Sequence, residues 1–250
     1  MQKANLIIRG FLFKKDRVQG CDSENWWKYD INFLNVMPGY LRLIKLLSKK
    51  YELSTYFSCY DTTPSRMVAY LKSAPTVKEM FFCSEKGSGQ FTTMHNALEK
   101  CSKDLTFVIR SDLIIKKKMI KVICDFDYEL DTLYAFSHEK SPAGIKDDNI
   151  IDVFHVASGE KINVLLHEKF LNQWSNLHHL HKRTDVEYMI PHDESGLPCV
   201  EYIDTYKNEF WEIYRQIPYS YLYEYDGFHL MPTDWAKVIE IAKIAREFND

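Results

Sequence analysis

The sequence predicts an α/β fold with a mostly parallel sheet and helices on both faces, and three observations lead there. Short apolar runs alternate with stretches of helical periodicity through the first half of the chain. The strand beginning at Asn5 (NLII) and Leu105–Arg110 (LTFVIR) are apolar enough to read as buried strands. Turn and cap signals separate them at the pace of βαβ units. With 250 residues the chain fits one domain spanning 1–250.

Taken in order, Asn5–Phe13 begins as a buried strand that Arg9-Gly10 interrupts. A helix follows from Pro38, with Leu41, Ile44 and Leu47 at helical spacing. Tyr51–Tyr60 is a second strand. Asp61–Pro64 supplies a turn and a cap, with Pro64 at the first position of the next helix. Val77–Cys83 is a third strand, Gly87–Gly89 a loop, Gln90–Cys101 a helix and Leu105–Arg110 a short buried strand. In the second half Thr132–Ser137 and Asp152–Ala157 read as strands. Gly159–Leu177 carries Ile162, Leu165, Leu166, Phe170, Trp174 and Leu177 on one helical face. Pro191–Pro198 is loop-rich, and Thr233 caps a closing helix with Trp235, Val238, Ile239, Ala242 and Phe248. The sheet is thus expected in 1–158 and a helical region in 159–250.

Composition excludes several classes. A net charge of -3 and a pI near 6.3 provide no whole-chain basic field, so nucleic acid is not an expected partner. The six cysteines are scattered without a CxxC pair, which reads as reduced thiols in a cytoplasmic setting. The opening stretch does not read as a signal peptide. No run approaches the roughly 18 apolar residues of a membrane span, which leaves only peripheral membrane contact open.

In open α/β sheets the ligand sits beyond the carboxyl ends of the strands, here after Ile8, Tyr60, Cys83 and Ile109. The informative stretch is Gln90–Leu113, where a helix feeds an apolar strand that ends abruptly in Arg110-Ser111-Asp112. A carboxylate at such a strand end suits a hard divalent cation, which takes one or two carboxylates and fills its shell from phosphate and water. Such a cation makes diphosphate a better leaving group.

This segment resembles its counterpart in GT-A glycosyltransferases, where a DxD motif ends the strand and its last Asp commonly ligates manganese or magnesium. Asp112 falls on that last Asp, and Arg110 stands where the first would be. The stretch IRSDL is also similar to the R-x-D-L variant in glycosyltransferases of bacterial surface-polysaccharide clusters and large DNA viruses. The block DDNIIDVFHVASGEKI resembles a downstream segment of that group. The likeness covers roughly the first two thirds of the chain. It implies a GT-A, Rossmann-like nucleotide-diphospho-sugar transferase fold with a helical C-terminal region. It also implies a nucleoside diphosphate sugar as donor, a glycan or other hydroxyl acceptor, Mn2+ or Mg2+ at Asp112, and polysaccharide biosynthesis as the setting. In that scheme 159–250 is the acceptor side. With Arg110 in the first DxD position, the guanidinium itself can offset phosphate charge instead of a metal.

Each candidate has a plainer reading beside it. Asp112 could cap a helix beginning in LIIKKKMIKVI, and Arg110 could simply pair with it. Arg9 and Gly10 sit where a nucleotide would approach the first strand, or else form a bulge. Gln90 opens a helix whose N-terminus favours an anion, or is an ordinary turn residue. Asp148 and Asp152 are candidate catalytic acids, as acceptor base or sugar contact, or solvated loop acids. His178, His179 and His181 lack a metal partner and read as a helix end; His192 and His229 lie in polar loops. Trp26 and Trp27 could stack on a base or sugar, although core packing accounts for one of them. Lys116–Lys118 reads as a solvated face. Two rival functions remain: a sugar-nucleotide nucleotidyltransferase, which would want a glycine-rich loop after the first strand, and a non-catalytic nucleotide- or glycan-binding protein.

Overall fold

The computed structural model describes residues 1–14, 31–74, 76–84, 90–101, 103–130, 132–136, 154–164, 200–203 and 211–213. Strand β1 (Gln2–Gly10) is buried from Ala4 through Arg9, and that unbroken burial requires covering layers on both faces. It pairs in parallel with β4 (Tyr51–Tyr60) on one side and β6 (Leu105–Arg110) on the other. Beyond β4 lies β5 (Val77–Cys83), also parallel. Beyond β6, strand β9 (Phe154–Ser158) pairs antiparallel, then β8 (Leu133–Phe136) and β10 (Val200–Ile203) follow. The seven-stranded order is β10-β8-β9-β6-β1-β4-β5, and within it β9 alone runs against the rest. Two small antiparallel pairs stand apart: β2 (Phe13–Lys14) with β3 (Ile31–Asn32), and β7 (Leu113–Ile115) with β11 (Trp211–Ile213).

Five helices cover the sheet among the described residues: α1 (Met37–Lys50), α2 (Ser65–Lys72), α3 (Gln90–Leu98), α4 (Lys117–Asp125) and α5 (Gly159–Val164). Side-chain alternation along the strands sends Leu6, Ile8, Phe57, Phe107 and Ile109 into one core with Tyr40, Leu43 and Leu47 of α1, Met67 and Leu71 of α2, and Met119 and Ile123 of α4. Ile7 and Val108 face the other way, toward the layer in which α3 packs on β1, β4 and α5. Burying one such leucine or phenylalanine contributes roughly 1.5–3 kcal/mol, so these two faces fix which side of each strand points where.

The α/β class and the mostly parallel sheet are as the sequence predicts, and several local expectations change. Arg9-Gly10 does not interrupt β1: Arg9 stays in register with both neighbouring strands, and the strand ends at Gly10. Helix α2 starts at Ser65 with Pro64 in the cap position and no side-chain cap; the Thr63 hydroxyl donates to the Tyr60 carbonyl instead, at 2.8 Å. Residues 200–203 and 211–213 form strands where loops and helices were expected. The expected helix 159–177 is described as far as Val164, and the closing helix after Thr233 lies outside the described residues. Among the described residues no helix is long and apolar enough to cross a membrane.

Candidate active site

Strands β1 and β6 stop at the same level, with Arg9 and Arg110 as register partners. Register partners on neighbouring strands share a face, so the two central strands send an arginine each to the same face at their carboxyl edge. Arg9 is only 2% exposed.

The chain leaves both strands in linked turns. The Ser111 N–H donates to the Arg9 carbonyl at 2.8 Å, extending the ladder one residue past the strand. The Ser111 hydroxyl donates to the Phe11 carbonyl at 2.7 Å. Gly10 turns there with φ +112°, a region side chains rarely adopt, and a Cβ on it would sit 3.1 Å from Ser111 Oγ. Gly10→Ala is therefore expected to lower stability by about 2 kcal/mol, or roughly 4–8 °C in Tm for a chain of this size. A thermal melt checks it. A second variant adding Ser111→Gly should recover the steric share but not the backbone strain.

Asp112 lies just past the strand end, 5% exposed. Arg110 grips it with a fork: Nε donates to Oδ1 at 2.9 Å and Nη2 to Oδ2 at 2.8 Å. Both side chains are largely desolvated, 12% and 7% exposed, so the pair holds its geometry more firmly than a surface bridge would. Asp112 caps no helix, because β7 intervenes and Lys116 holds the cap position of α4. From below, the Tyr40 hydroxyl of α1 donates to the Arg110 carbonyl. Burial first, and the Asp112 charge second, push the Tyr40 phenol well above its ordinary value, so it stays protonated and keeps donating.

Of the other sequence-predicted residues, Gln90 is the first residue of α3, the helix packed on β1 and β4. Asp148 and Asp152, the histidines at 178, 179, 181, 192 and 229, and Trp26 and Trp27 lie outside the described residues. Sequence reasoning missed several residues at this edge. Tyr40 lies in the helix expected from Pro38, but nothing local marks its hydroxyl. Ser111 was a spacer in the motif. Phe11 and Tyr60 stack with centroids 4.1 Å apart, at the same sheet edge, because Gly10 and Cys59 are register partners. Lys14 Nζ lies 4.8 Å from the Phe11 ring centre.

A divalent cation bound with phosphates commonly takes one or two carboxylates, and Asp112 supplies one just past the end of β6. Its two oxygens accept from Arg110, so a cation would compete with that guanidinium. Among the described residues no cluster of three or more His, Cys, Asp or Glu supplements it.

The strand order and the crossover helices make a mostly parallel Rossmann-like fold of the nucleotide-diphospho-sugar transferase type. No protein-family model and no curated protein matches the sequence. Among solved structures, the chain is similar to a Bacillus anthracis protein named as a glucose-1-phosphate thymidylyltransferase and crystallised with sucrose. Identity is 10%, coverage 92% of this chain and 97% of that one, and the TM-score 0.52. CTP:phosphocholine cytidylyltransferase of Streptococcus pneumoniae overlaps with TM-score 0.46 at 12% identity, covering 89% of this chain and 96% of its own. The glycosyltransferase GlyE of Streptococcus pneumoniae TIGR4 overlaps with TM-score 0.41 at 10% identity, over 81% of this chain and 46% of its own. At these identities the likeness speaks to the fold alone.

Proposed function

We propose that the chain is a glycosyltransferase that moves a sugar from a nucleoside diphosphate sugar to a hydroxyl of a glycan or other acceptor. The observation that supports this most is the pair of register-matched arginines, Arg9 and Arg110, at the carboxyl edge of the central strands, with Asp112 forked to the second. In the proposed reaction the acceptor oxygen bonds to the anomeric carbon as the bond from that carbon to the diphosphate breaks. The electron pair leaves on the diphosphate, and the hydroxyl proton passes to a base. Arginines offset the departing charge bidentately and without changing protonation state. Asp112 would hold Mn2+ or Mg2+, which when bound offsets the same leaving-group charge. Gly10 and Gln90 are assigned to the nucleotide, and Asp148 and Asp152 to the sugar or the acceptor proton. The Phe11–Tyr60 stack offers an aromatic platform at that edge for the base. Residues 1–158 then serve the donor and 159–250 the acceptor.

The overlap with the Bacillus anthracis protein favours a second reading, nucleotidyl transfer from a nucleoside triphosphate to a sugar phosphate. The chain after β1 speaks against it. Leu12 is fully buried, its carbonyl accepts from Phe33 N–H at 2.7 Å, and Phe11 packs on Tyr60. A triphosphate cradle wants a glycine-rich loop with N–H groups turned outward at that point.

Calorimetry with UDP and GDP, with and without manganese, followed by turnover assays, separates the readings. A glycosyltransferase releases nucleoside diphosphate from nucleotide sugars and makes no pyrophosphate. Pyrophosphate from a triphosphate plus a sugar 1-phosphate would establish the second reading. No nucleotide binding at all would leave a non-catalytic protein.

A further inference from the structure

Away from the candidate site, α1 and α4 lie side by side and carry cations almost without acids. On α1 these are Arg42, Lys45, Lys49 and Lys50; at α4 they are Lys116, Lys117, Lys118 and Lys121. Asp125 is the acid of the two helices, at the far end of α4, and Asp127 just beyond it pairs with Lys50 at 3.1 Å. The helices run in the same direction. Near their starts Gly39 packs against Ile115, and near their ends Lys50 Nζ donates to the Phe126 carbonyl at 2.9 Å. Between them runs a groove of about 460 Å³, lined by Arg42, Leu46, Lys117, Ile120, Lys121 and Cys124, with Asp125 at its end. Lys45, Lys49, Lys117, Lys118 and Lys121 are exposed. The floor is apolar and the rims are cationic.

The whole chain carries -3, so this concentration leaves the remaining surface net acidic. A molecule polarised in that way turns the α1–α4 face toward an anionic plane and the rest away from it. Clusters of four to eight Lys or Arg on a helical surface match the charge density of acidic lipid headgroups. The large exposed apolar side chains among the described residues, Met1, Phe82 and Leu130, are not on α1 or α4, so the attachment is electrostatic and not insertional. The groove has no aromatic lining on which single-stranded bases could stack, which disfavours nucleic acid as the occupant. We propose that the α1–α4 face is a docking surface for an anionic lipid bilayer, with phosphate headgroups seated between the Arg42 rim and the Lys117–Lys121 rim. The reading is independent of the reaction proposed above.

The test is co-sedimentation of the full chain with vesicles of phosphatidylcholine alone and of phosphatidylcholine containing about one third phosphatidylglycerol. Binding is expected to the acidic vesicles only, at about 0.1 M salt, with release as salt rises several-fold. Each basic residue at an acidic surface is worth about a fivefold factor in partitioning, so Lys117→Glu with Lys121→Glu should weaken binding about 30-fold or more. Both positions are exposed, and circular dichroism verifies the fold. The control reversal Lys78→Glu, on an exposed position of edge strand β5, should leave binding unchanged. Equal sedimentation with neutral vesicles, or indifference to the Lys117/Lys121 reversal, would overturn the proposal. So would displacement by millimolar inorganic phosphate, which would mark a small-anion site, or tighter binding to duplex or single-stranded nucleic acid of matched charge.

Discussion

Asp112→Ala is expected to abolish sugar transfer and to lower stability by about 3 kcal/mol, a large fraction of the roughly 5–15 kcal/mol that holds a domain folded. The two consequences have one cause. Arg110 is 12% exposed and delivers two N–H groups to that carboxylate, so the alanine variant leaves a poorly solvated guanidinium without it. Arg110→Ala should cost a similar amount, because it strands the carboxylate instead. The double variant Arg110→Leu with Asp112→Leu should recover most of the stability and none of the nucleotide binding, since two apolar groups replace a desolvated pair at little cost. Urea unfolding of the wild type, Asp112→Leu, Arg110→Leu and the double variant yields the coupling energy, and calorimetry with UDP and GDP reads the site. An Asp112→Ala protein with full stability and full transfer would remove Asp112 from the proposal.

Arg9→Met is expected to raise the Kd for the accepted nucleotide by about 30- to 100-fold, corresponding to about 2–3 kcal/mol for lost charge-assisted hydrogen bonds. Methionine keeps much of the apolar stem and removes the charge, and a thermal melt beside the calorimetry separates a loss of affinity from a loss of stability. Arg9 is 2% exposed and sits one strand from Arg110, so phosphate binding and core packing predict opposite outcomes for this residue. A lower melting temperature with unchanged affinity would assign Arg9 to the fold alone.

Much of the fold was legible because its cause is local. The βαβ alternation through Arg110 follows from apolar runs and helical spacing, and these survive in the structure, with β1 at both ends and α3 at its close displaced by three residues. Asp112 and Arg110 were identifiable as a pair at a strand end, because a buried strand that stops in charged residues delivers them to the ligand edge. The fate of Asp112 was not legible. A helix cap, a metal ligand and an Arg110 partner all fit the local sequence, and β7 between Asp112 and α4 excludes the first.

What the sequence determined by itself is the class: which segments are strands or helices in the first half, which faces are apolar, and where a ligand edge must lie. Periodicity carries that, and it needs no knowledge of neighbours. Tertiary structure decided the rest. It placed Arg9 beside Arg110, stacked Phe11 on Tyr60, and brought the Tyr40 hydroxyl to the Arg110 carbonyl. It turned β9 against the sheet, and it recruited 200–203 and 211–213 as strands whose pairing partners, not their own short sequences, hold them extended. It also merged two unremarkable lysine-bearing helices into one cationic groove. These are pairings between distant parts of the chain, and their energies depend on register and burial, quantities that exist only once the sheet has formed.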